Sequence, residues 1–272
     1  MSSLFWDEAL AARYRAFQYD FAERALSGRA VIVAGGTGGL GAALVALLAR
    51  EGARVVVGYR ANRHRASELQ SAIEKQFQQK VALVEGDIAD AAVRRAYLDA
   101  VAQLGVPLAG AAIFPGHPAR AKLESLERDA LIASLEANYV GPVLLARDLG
   151  LAVEQSPTGG SLVLLATMQA VAPFESSLNY AAPKAALVHA ARILARQWSR
   201  VRVNVVAPGA TVAGMAEASV SSGKYDSFVS SGTIPRFGRP EDVARAVRFF
   251  LEPDNYITGQ VLVVDGGLTL RR

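Results

Sequence analysis

Short, continuously apolar runs alternate with segments of helical periodicity from about residue 29 to the end of the chain. The runs are rich in Val, Ile, Leu and Ala at successive positions, as expected for strands that are buried on both faces of a parallel sheet. Since helical segments separate the runs, the pattern predicts repeated β-α-β units. The predicted strands are Ala30–Ala34, Arg54–Gly58, Val81–Val84, Leu108–Phe114, Ser161–Ala166, Val201–Val206 and Gln260–Val264.

The segments between the runs predict the helices of the same domain. No internal repeat and no long linker interrupts residues 29–272, so we predict a single α/β domain there. Residues 212–235 are rich in Ser and Gly, which predicts a mobile loop. The predicted helices run from a glycine-rich turn to Arg50, then to about Gln79, from Ala91, over Glu124–Glu154, from Tyr180 to Ser199 and from Pro240.

Residues 1–28 stand apart from this pattern. Leu10, Tyr14, Phe17 and Phe21 recur at helical spacing, with charged residues of both signs between them. Such spacing is typical of an amphipathic helix. We predict an N-terminal helical extension that packs on the domain or on a neighbouring subunit. A helix that lies on a membrane surface or docks a partner is the alternative.

Composition narrows the class of protein. The chain has 272 residues, 51% hydrophobic and 20% charged, which is enough for one well-buried core. It contains no cysteine, which excludes disulfides and thiolate sites. The net charge of +4 comes from scattered arginines without a basic run, so nothing indicates nucleic-acid binding. No apolar stretch approaches the roughly 20 residues of a membrane helix, and a signal-peptide pattern is lacking, so we expect a soluble, cytoplasmic protein.

A glycine-rich turn joins the first strand to the first helix of the domain. Gly35, Gly39 and Gly41 form one spacing, and Gly36, Gly38 and Gly41 form the overlapping G-x-G-x-x-G. Glycines at such a turn let backbone N–H groups approach a pyrophosphate, and the helix N-terminus adds partial positive charge. The turn therefore predicts a dinucleotide site, with a purely structural turn as the alternative.

The end of the second strand indicates which dinucleotide binds. An acid about 20 residues beyond the glycines would accept the ribose hydroxyl of NAD, whereas arginine suits the extra phosphate of NADP. No Asp or Glu occurs between Glu51 and Glu68, and the stretch contains Arg60, Arg63 and Arg65. We predict NADP(H), with Arg60 as the first candidate; the alternative is that these arginines only solvate the next helix.

Tyr180 and Lys184 lie four residues apart, which places a phenol and an ammonium on one helix face. A nearby cation favours the phenolate, so we expect Lys184 to draw the tyrosine pKa toward the working range for proton transfer. The histidines offer no rival chemistry. His64, His117 and His189 are too dispersed for a catalytic triad or a metal site, and we predict no metal.

Together these motifs resemble the short-chain dehydrogenase/reductase family over about residues 28–272. Its marks occur in the family's order, and the C-terminal pattern around residues 236–243 and 256–267 is similar to that of 3-oxoacyl-carrier-protein reductases. The resemblance implies a doubly wound Rossmann-like fold, a parallel sheet of order 3-2-1-4-5-6-7 with helices on both faces. These marks are the Gly35/Gly39/Gly41 turn, Asp87-Ile88, Asn138, Thr167, Tyr180/Lys184 and Pro208-Gly209.

The resemblance also implies a role for each of these residues. Tyr180 would be the general acid in ketone reduction, and Lys184 would hold the nicotinamide ribose. Asn138 would anchor a water that feeds protons toward the lysine. Asn138 could instead bend its helix, and Asp87 could simply end the third strand. The implied cofactor-binding set is Gly35, Thr37, Gly38, Gly39, Leu40, Gly41, Arg60, Asp87, Ile88, Gly116, Tyr180, Lys184, Pro208, Gly209 and Thr211.

Several positions depart from the family pattern. Thr167 takes the place of the usual serine, and keeps a hydroxyl that can polarise a carbonyl. The segment Ile113–Gly116 replaces Asn-Asn-Ala-Gly and keeps only the glycine. Ala213 replaces a threonine that helps to bind the cofactor, which leaves Thr211 as a substitute. Pro183 lacks an N–H, so it should lie near the start of its helix or cost a hydrogen bond.

We therefore expect an NADPH-dependent ketone reductase, with a 3-oxoacyl thioester as the first substrate candidate. Substrate would bind over Pro115–Arg120, Met168–Ser177 and the 212–235 loop. The alternatives are a secondary- or sugar-alcohol dehydrogenase that runs in the oxidative direction, and a non-catalytic nucleotide-binding protein. Apolar residues on the Tyr180 helix such as Leu187, Val188 and Ala191, together with the Glu124–Glu154 helix, predict a homodimer or homotetramer.

Overall fold

The computed structural model describes residues 6–20, 22–175 and 177–271. In these residues seven parallel strands form one sheet in the order β3-β2-β1-β4-β5-β6-β7, as predicted. The predicted strands are all present, and their ends agree to within two residues. The strands are β1 Ala30–Ala34, β2 Arg54–Tyr59, β3 Ala82–Glu85, β4 Leu108–Ile113, β5 Gly160–Leu165, β6 Val201–Pro208 and β7 Val261–Val264.

Helices cover both faces of the sheet. Every residue of β1, β4 and β5 is buried, which explains their continuously apolar sequences. The helices are α1 Glu8–Arg15, α2 Gly39–Arg50, α3 Arg63–Phe77, α4 Ala91–Leu104, α5 Arg128–Leu135, α6 Gly141–Gln155, α7 Leu178–Gln197, α8 Glu217–Ser221, α9 Asp226–Ser230, α10 Pro240–Leu251 and α11 Leu268–Arg271.

Alternate residues of each strand belong to two separate cores. Ile32 of β1 packs in the core that also contains residues of α4, α6 and α7. Val31 and Val33 point the other way, into the core that contains residues of α2 and α10. The order of the strands reverses between β1 and β4, and ligands of open α/β sheets bind at the carboxyl edge of such a switch point.

The predicted helix over Glu124–Glu154 is present from Arg128 to Gln155, but it is not one regular α-helix. The structure has α5, then a π-helical turn over Glu136–Val140, then α6. In that turn the N–H of Gly141 donates to the carbonyl of Glu136, five residues back. Pro142 follows and has no N–H for the carbonyl of Asn138, so regular α-helical bonding is interrupted there. The interruption places Asn138 in a widened turn.

The N-terminal segment is helical over a shorter stretch than its pattern predicts. Asp7 caps α1 by accepting from the N–H of Leu10, and the helix ends at Arg15. Phe17 follows with a left-handed φ of 58°, and its side chain is exposed. Phe21 lies outside the described residues. The placement of a domain boundary at residue 28 stays a prediction.

The 212–235 segment is more ordered than a loop. It contains α8 and α9, and it buries Tyr225 and Ile234 against Leu268 in a third apolar cluster. This cluster fixes the segment above the carboxyl edge of the sheet. Among the described helices, none is both long and apolar enough to cross a bilayer.

The residues that suggested self-association belong to the core of the protomer. Leu187, Val188 and Ala191 are buried against the sheet, so that argument for an oligomer is wrong. Other large apolar side chains are exposed on the same helices. They are Leu131, Ile132, Leu135, Leu151, Leu178 and Ile193. A homodimer or homotetramer stays a prediction.

Candidate active site

Tyr180 and Lys184 line the same cavity. Tyr180 is in the first turn of α7, where its N–H donates to the carbonyl of Ser177 at 3.0 Å. Lys184 lies one turn further on and is 1% exposed. The cavity has a volume of about 200 Å³, and its wall also includes Thr167 and Pro208. The helical spacing in the sequence therefore does bring the phenol and the amine to one face.

The amine of Lys184 is fixed by two backbone carbonyls. Its Nζ donates to the carbonyl of Leu165 at 2.8 Å and to that of Pro115 at 3.4 Å. Leu165 ends β5 and Pro115 follows β4, so the lysine joins two strand ends across the cavity floor. Burial lowers the pKa of Lys184 to about 7, because the charged form loses its hydration.

The phenol of Tyr180 is hydrogen-bonded to Thr167. Burial raises the pKa of Tyr180 to about 12, and the hydrogen bond with Thr167 offsets part of this rise. The prediction that Lys184 depresses this pKa is therefore wrong: desolvation dominates, and burial also disfavours the charged lysine. Thr167 is itself buried and caps a short 3-10 turn over Met168–Ala170. The Thr167 hydroxyl therefore lies at the Tyr180 phenol, as predicted for the residue that takes the place of the usual serine.

Asn138 is fully buried and holds the segment after β4. Its Oδ1 accepts from the N–H of His117 at 3.0 Å, and its Nδ2 donates to the carbonyl of His117 at 3.0 Å. Gly116 lies between Asn138 and Lys184: a Cβ there would be 2.7 Å from the Asn138 Oδ1 and 3.2 Å from the Lys184 Nζ. This close approach leaves no room for a side chain at Gly116, which is the residue that this chain keeps from the usual Asn-Asn-Ala-Gly segment.

Ser134 connects Asn138 to α7. Pro183 lies at the sixth position of α7, inside the helix, and cannot donate to the carbonyl of Asn179 four residues back. The hydroxyl of Ser134 donates to this carbonyl instead, and it accepts from the Asn138 Nδ2 at 3.1 Å. The hydrogen bond that Pro183 removes is thus replaced by a side chain of α5.

A double-mutant cycle can test whether the Ser134 hydroxyl replaces the backbone N–H that Pro183 lacks. Ser134→Ala leaves the buried carbonyl of Asn179 unpaired, and we expect it to lower the free energy of unfolding by about 1–3 kcal/mol. In the Pro183→Ala background a backbone N–H returns, so the same change should cost about 1 kcal/mol less. Urea unfolding of the four proteins measures both values. Strictly additive effects would contradict the assigned role of Ser134.

The glycine turn forms a tight backbone cradle at the N-terminus of α2. Gly35 has a left-handed φ of 75°. A Cβ on Gly36 would lie 2.8 Å from Val57, and one on Gly39 would lie 2.8 Å from the backbone N of Gly214. The glycines therefore let the turn pack tightly against the core and against the segment after β6. A glycine turn at the N-terminus of a helix fits the diphosphate of a dinucleotide. Gly38, without a side-chain cap, is the N-cap of α2.

A second cavity of about 200 Å³ lies at the carboxyl ends of β1, β2 and β3. Five of the predicted cofactor residues line it: Gly35, Arg60, Asp87, Ile88 and Gly116. The Asp87 Oδ1 also accepts from the N–H of Ala89 at 2.9 Å, so this carboxylate shapes the turn after β3. Six others line the Tyr180 cavity, namely Leu40, Pro208, Gly209, Thr211, Tyr180 and Lys184, whereas Thr37, Gly38, Gly39 and Gly41 line neither cavity.

The loop after β6 closes over the glycine turn. A Cβ on Gly39 would lie 2.9 Å from the Cβ of Ala213. Thr211 is buried, and its hydroxyl donates to the carbonyl of Gly209 at 3.1 Å. Residues 36–39 connect Gly35, which lines the second cavity, to Leu40, which lines the Tyr180 cavity.

The sequence reasoning missed three contacts of this site. The Arg65 Nε donates to the carbonyl of Thr37 at 2.7 Å, so Arg65 contacts the glycine turn. Tyr97 of α4 lines the second cavity and occupies the space that a side chain at Gly58 would need. Ser134 precedes Asn138 by one helical turn, and this spacing was the available signal for it. No local pattern pairs Tyr97 with Gly58.

Known proteins of similar sequence show the family to which the chain belongs. The sequence model described as Enoyl-(Acyl carrier protein) reductase matches residues 34–269. A 3-oxoacyl-(acyl-carrier-protein) reductase of Rattus norvegicus is 32% identical over 88% of the chain and 97% of its own length. A glucose 1-dehydrogenase of Gluconobacter oxydans is 29% identical over 90% of the chain and 93% of its own length.

A solved structure extends this similarity to the fold. The short chain dehydrogenase from Burkholderia cenocepacia J2315, in complex with NADP, superposes with a TM-score of 0.78. It is 29% identical, and the match covers 89% of this chain and 98% of that one. With Tyr180, Lys184 and Thr167 on one cavity and a glycine cradle beside it, the chain belongs to the short-chain dehydrogenase/reductase family and is an NAD(P)-dependent oxidoreductase.

Proposed function

We propose that the protein is an NADPH-dependent reductase that converts a ketone to a secondary alcohol. The observation that carries this proposal is the cavity in which the Tyr180 phenol contacts Thr167 beside the buried amine of Lys184. When bound, NADPH supplies the hydride that reaches the carbonyl carbon. Tyr180 gives its proton to the carbonyl oxygen, and the Thr167 hydroxyl donates a hydrogen bond to the same oxygen.

The protonation state of Tyr180 supports the reductive direction of the reaction. A general acid must carry its proton before the reaction, and Tyr180, with a pKa of about 12, is protonated throughout the neutral range. Oxidation of an alcohol needs the phenolate, which burial disfavours. The similarity to a glucose 1-dehydrogenase keeps alcohol oxidation as the second candidate function.

The charges at the second cavity support NADPH over NADH. Arg60 lines the cavity, and Arg65 holds the glycine turn. Two acids, Asp87 and Glu136, also line the cavity. Glu85, the acid that ends β3, accepts from the Tyr59 hydroxyl at 2.9 Å and pairs with Arg63 at 3.5 Å. This carboxylate is therefore engaged by the protein, and the arginines are the groups that suit a ribose phosphate.

Removal of Arg60 tests the choice of cofactor. We expect Arg60→Ala to weaken NADPH binding by about 10-fold or more, because a charge-assisted contact with the phosphate is lost. NADH binding should change little. Arg54→Ala is the matched control, since Arg54 is exposed at the opposite end of β2. Fluorescence titration gives both affinities, and equal losses for the two nucleotides would contradict the proposal.

Turnover itself is tested by NADPH oxidation with a panel of ketones that includes 3-oxoacyl thioesters. The proposal expects ketone-dependent loss of NADPH absorbance. The second candidate expects NADP⁺ reduction with secondary or sugar alcohols and little ketone reduction. A protein that binds NADPH but turns over neither set would be a nucleotide-binding protein without catalysis.

A further inference from the structure

The mouth of the Tyr180 cavity carries unpaired positive charge. Arg120 and Lys224 both line the cavity. Across residues 6–20, 22–175 and 177–271, neither of them forms an ion pair with an acidic side chain. Glu175 is the single acid among the described lining residues. The opening therefore offers two cations to a ligand whose reacting carbon lies deeper, at Tyr180.

Arg120 is held in place from both its backbone and its side chain. Ala119, just before it, has a left-handed φ of 45°, a strained conformation for a residue with a Cβ. The N–H of Ala119 donates to the His117 Nδ1 at 3.0 Å, and its carbonyl accepts from the Asn179 Nδ2 at 3.1 Å. These two side-chain contacts stabilise the strained turn that presents Arg120.

The guanidinium of Arg120 reaches across the cavity mouth. It donates to the carbonyl of Met215 at 3.3 Å and to the hydroxyl of Ser219 at 3.2 Å. Lys224 lies on the same rim, with its Nζ 5.7 Å from the centre of the Tyr225 ring. Neither cation is neutralised by these neutral partners, so both retain the capacity to bind an anion.

Polar groups connect this rim to the catalytic hydroxyls. The phenol of Tyr225 is buried at the cavity wall, close enough to Arg120 and Gln169 for both to lower its pKa against the larger effect of burial. The backbone N–H of Gln169 donates to the Thr167 hydroxyl at 3.3 Å. The cavity wall thus carries three pairs of polar groups from its floor to its rim. They are the hydroxyls of Thr167 and Tyr180, the side chains of Gln169 and Tyr225, and the cations Arg120 and Lys224.

We propose that the substrate carries an anionic group, a carboxylate or a phosphate, that binds Arg120 and Lys224 while its ketone lies at Thr167 and Tyr180. This inference rests on the proposed reductase function and names its substrate class. Two sources supply such a group: the carboxylate of a free oxoacid, or the phosphate of a phosphopantetheine thioester. The positive rim recognises the charge, and the depth of the cavity separates it from the reacting carbonyl.

The test compares short linear oxoacids with their methyl esters, in which a methyl group replaces the negative charge. We expect at least one acid to exceed its ester by about 10-fold in kcat/KM with NADPH, mainly through KM. Calorimetry with NADP⁺-loaded Tyr180→Phe should show the same preference in Kd. Arg120→Gln and Lys224→Gln should each reduce the preference. Lys122→Gln, an exposed cation outside the cavity lining, should not.

A second arm identifies the source of the charge. Acetoacetyl pantetheine is compared with and without its phosphate, and a preference for the phosphorylated form assigns the phosphate. The proposal is overturned if no anionic compound is favoured over its neutral counterpart in either measurement, or if Lys122→Gln acts like Arg120→Gln. Reduction of esters without any acid preference refutes the anion site alone. Tight acid binding without NADPH oxidation refutes the reductase alone.

Discussion

Tyr180→Phe should lower kcat/KM for ketone reduction by about 10²–10⁴-fold, the range that general acid catalysis contributes. The variant removes one oxygen and with it the only proton of the phenol, while the ring continues to fill the first turn of α7. NADPH binding should remain nearly unchanged, since the glycine turn and Arg60 are untouched. Steady-state NADPH oxidation and fluorescence titration measure the two effects.

A matched control distinguishes the loss of the proton donor from a change in the shape of the cavity. Tyr225→Phe removes another phenolic hydroxyl from the same cavity wall, one that interacts with Arg120 and Gln169. We expect its effect on kcat to be much smaller than that of Tyr180→Phe. Comparable losses in both variants would show that the hydroxyls shape the cavity and that Tyr180 is not the proton donor.

Lys184→Met should abolish most activity and at the same time make the protein more stable at neutral pH. Burial lowers the pKa of Lys184 from 10.5 to about 7, so near pH 7 the folded protein carries the cost of a buried, partly charged amine. Methionine removes this cost, and the loss of hydrogen bonds to Leu165 and Pro115 offsets part of the gain. We expect a net increase of about 2 kcal/mol in the free energy of unfolding at pH 7.

The sign of the pH dependence follows from the same pKa. Between pH 7 and 10.5 the unfolded chain holds the lysine proton and the folded protein does not, so the stability of the wild type rises with pH. The advantage of Lys184→Met should therefore be largest below pH 7 and shrink as the pH rises toward 10. Urea unfolding across this range measures it, and a difference that does not vary with pH would contradict the buried-amine assignment.

Local sequence patterns were sufficient to predict the sheet and the common helix face of Tyr180 and Lys184 on α7. A strand such as Ala30–Ala34 is apolar at each position because helices cover both of its faces, and this requirement is visible in five residues. The spacing of Tyr180 and Lys184 fixes a common helix face regardless of the rest of the fold. Both features depend on residues that are close in the chain.

The features that the sequence did not yield depend on distant partners. Ser134 replaces the N–H that Pro183 lacks, and Tyr97 fills the space at Gly58; neither pair shares a local pattern. Spacing likewise could not give the tyrosine pKa, because desolvation by the surrounding fold outweighs the neighbouring amine. The cavity that Tyr180 and Lys184 share was thus predictable, whereas the contacts that tune and orient these side chains required the tertiary structure.

The central claim is that the Tyr180 phenol delivers the proton during hydride transfer. It is tested most directly by a single turnover, in which NADPH-saturated protein is mixed with the best ketone of the panel in water and in deuterium oxide. We predict that wild-type hydride transfer is slower in deuterium oxide, and that Tyr180→Phe, equally saturated with NADPH, shows almost no transfer in either solvent. Equal transfer rates for the two proteins would contradict the account.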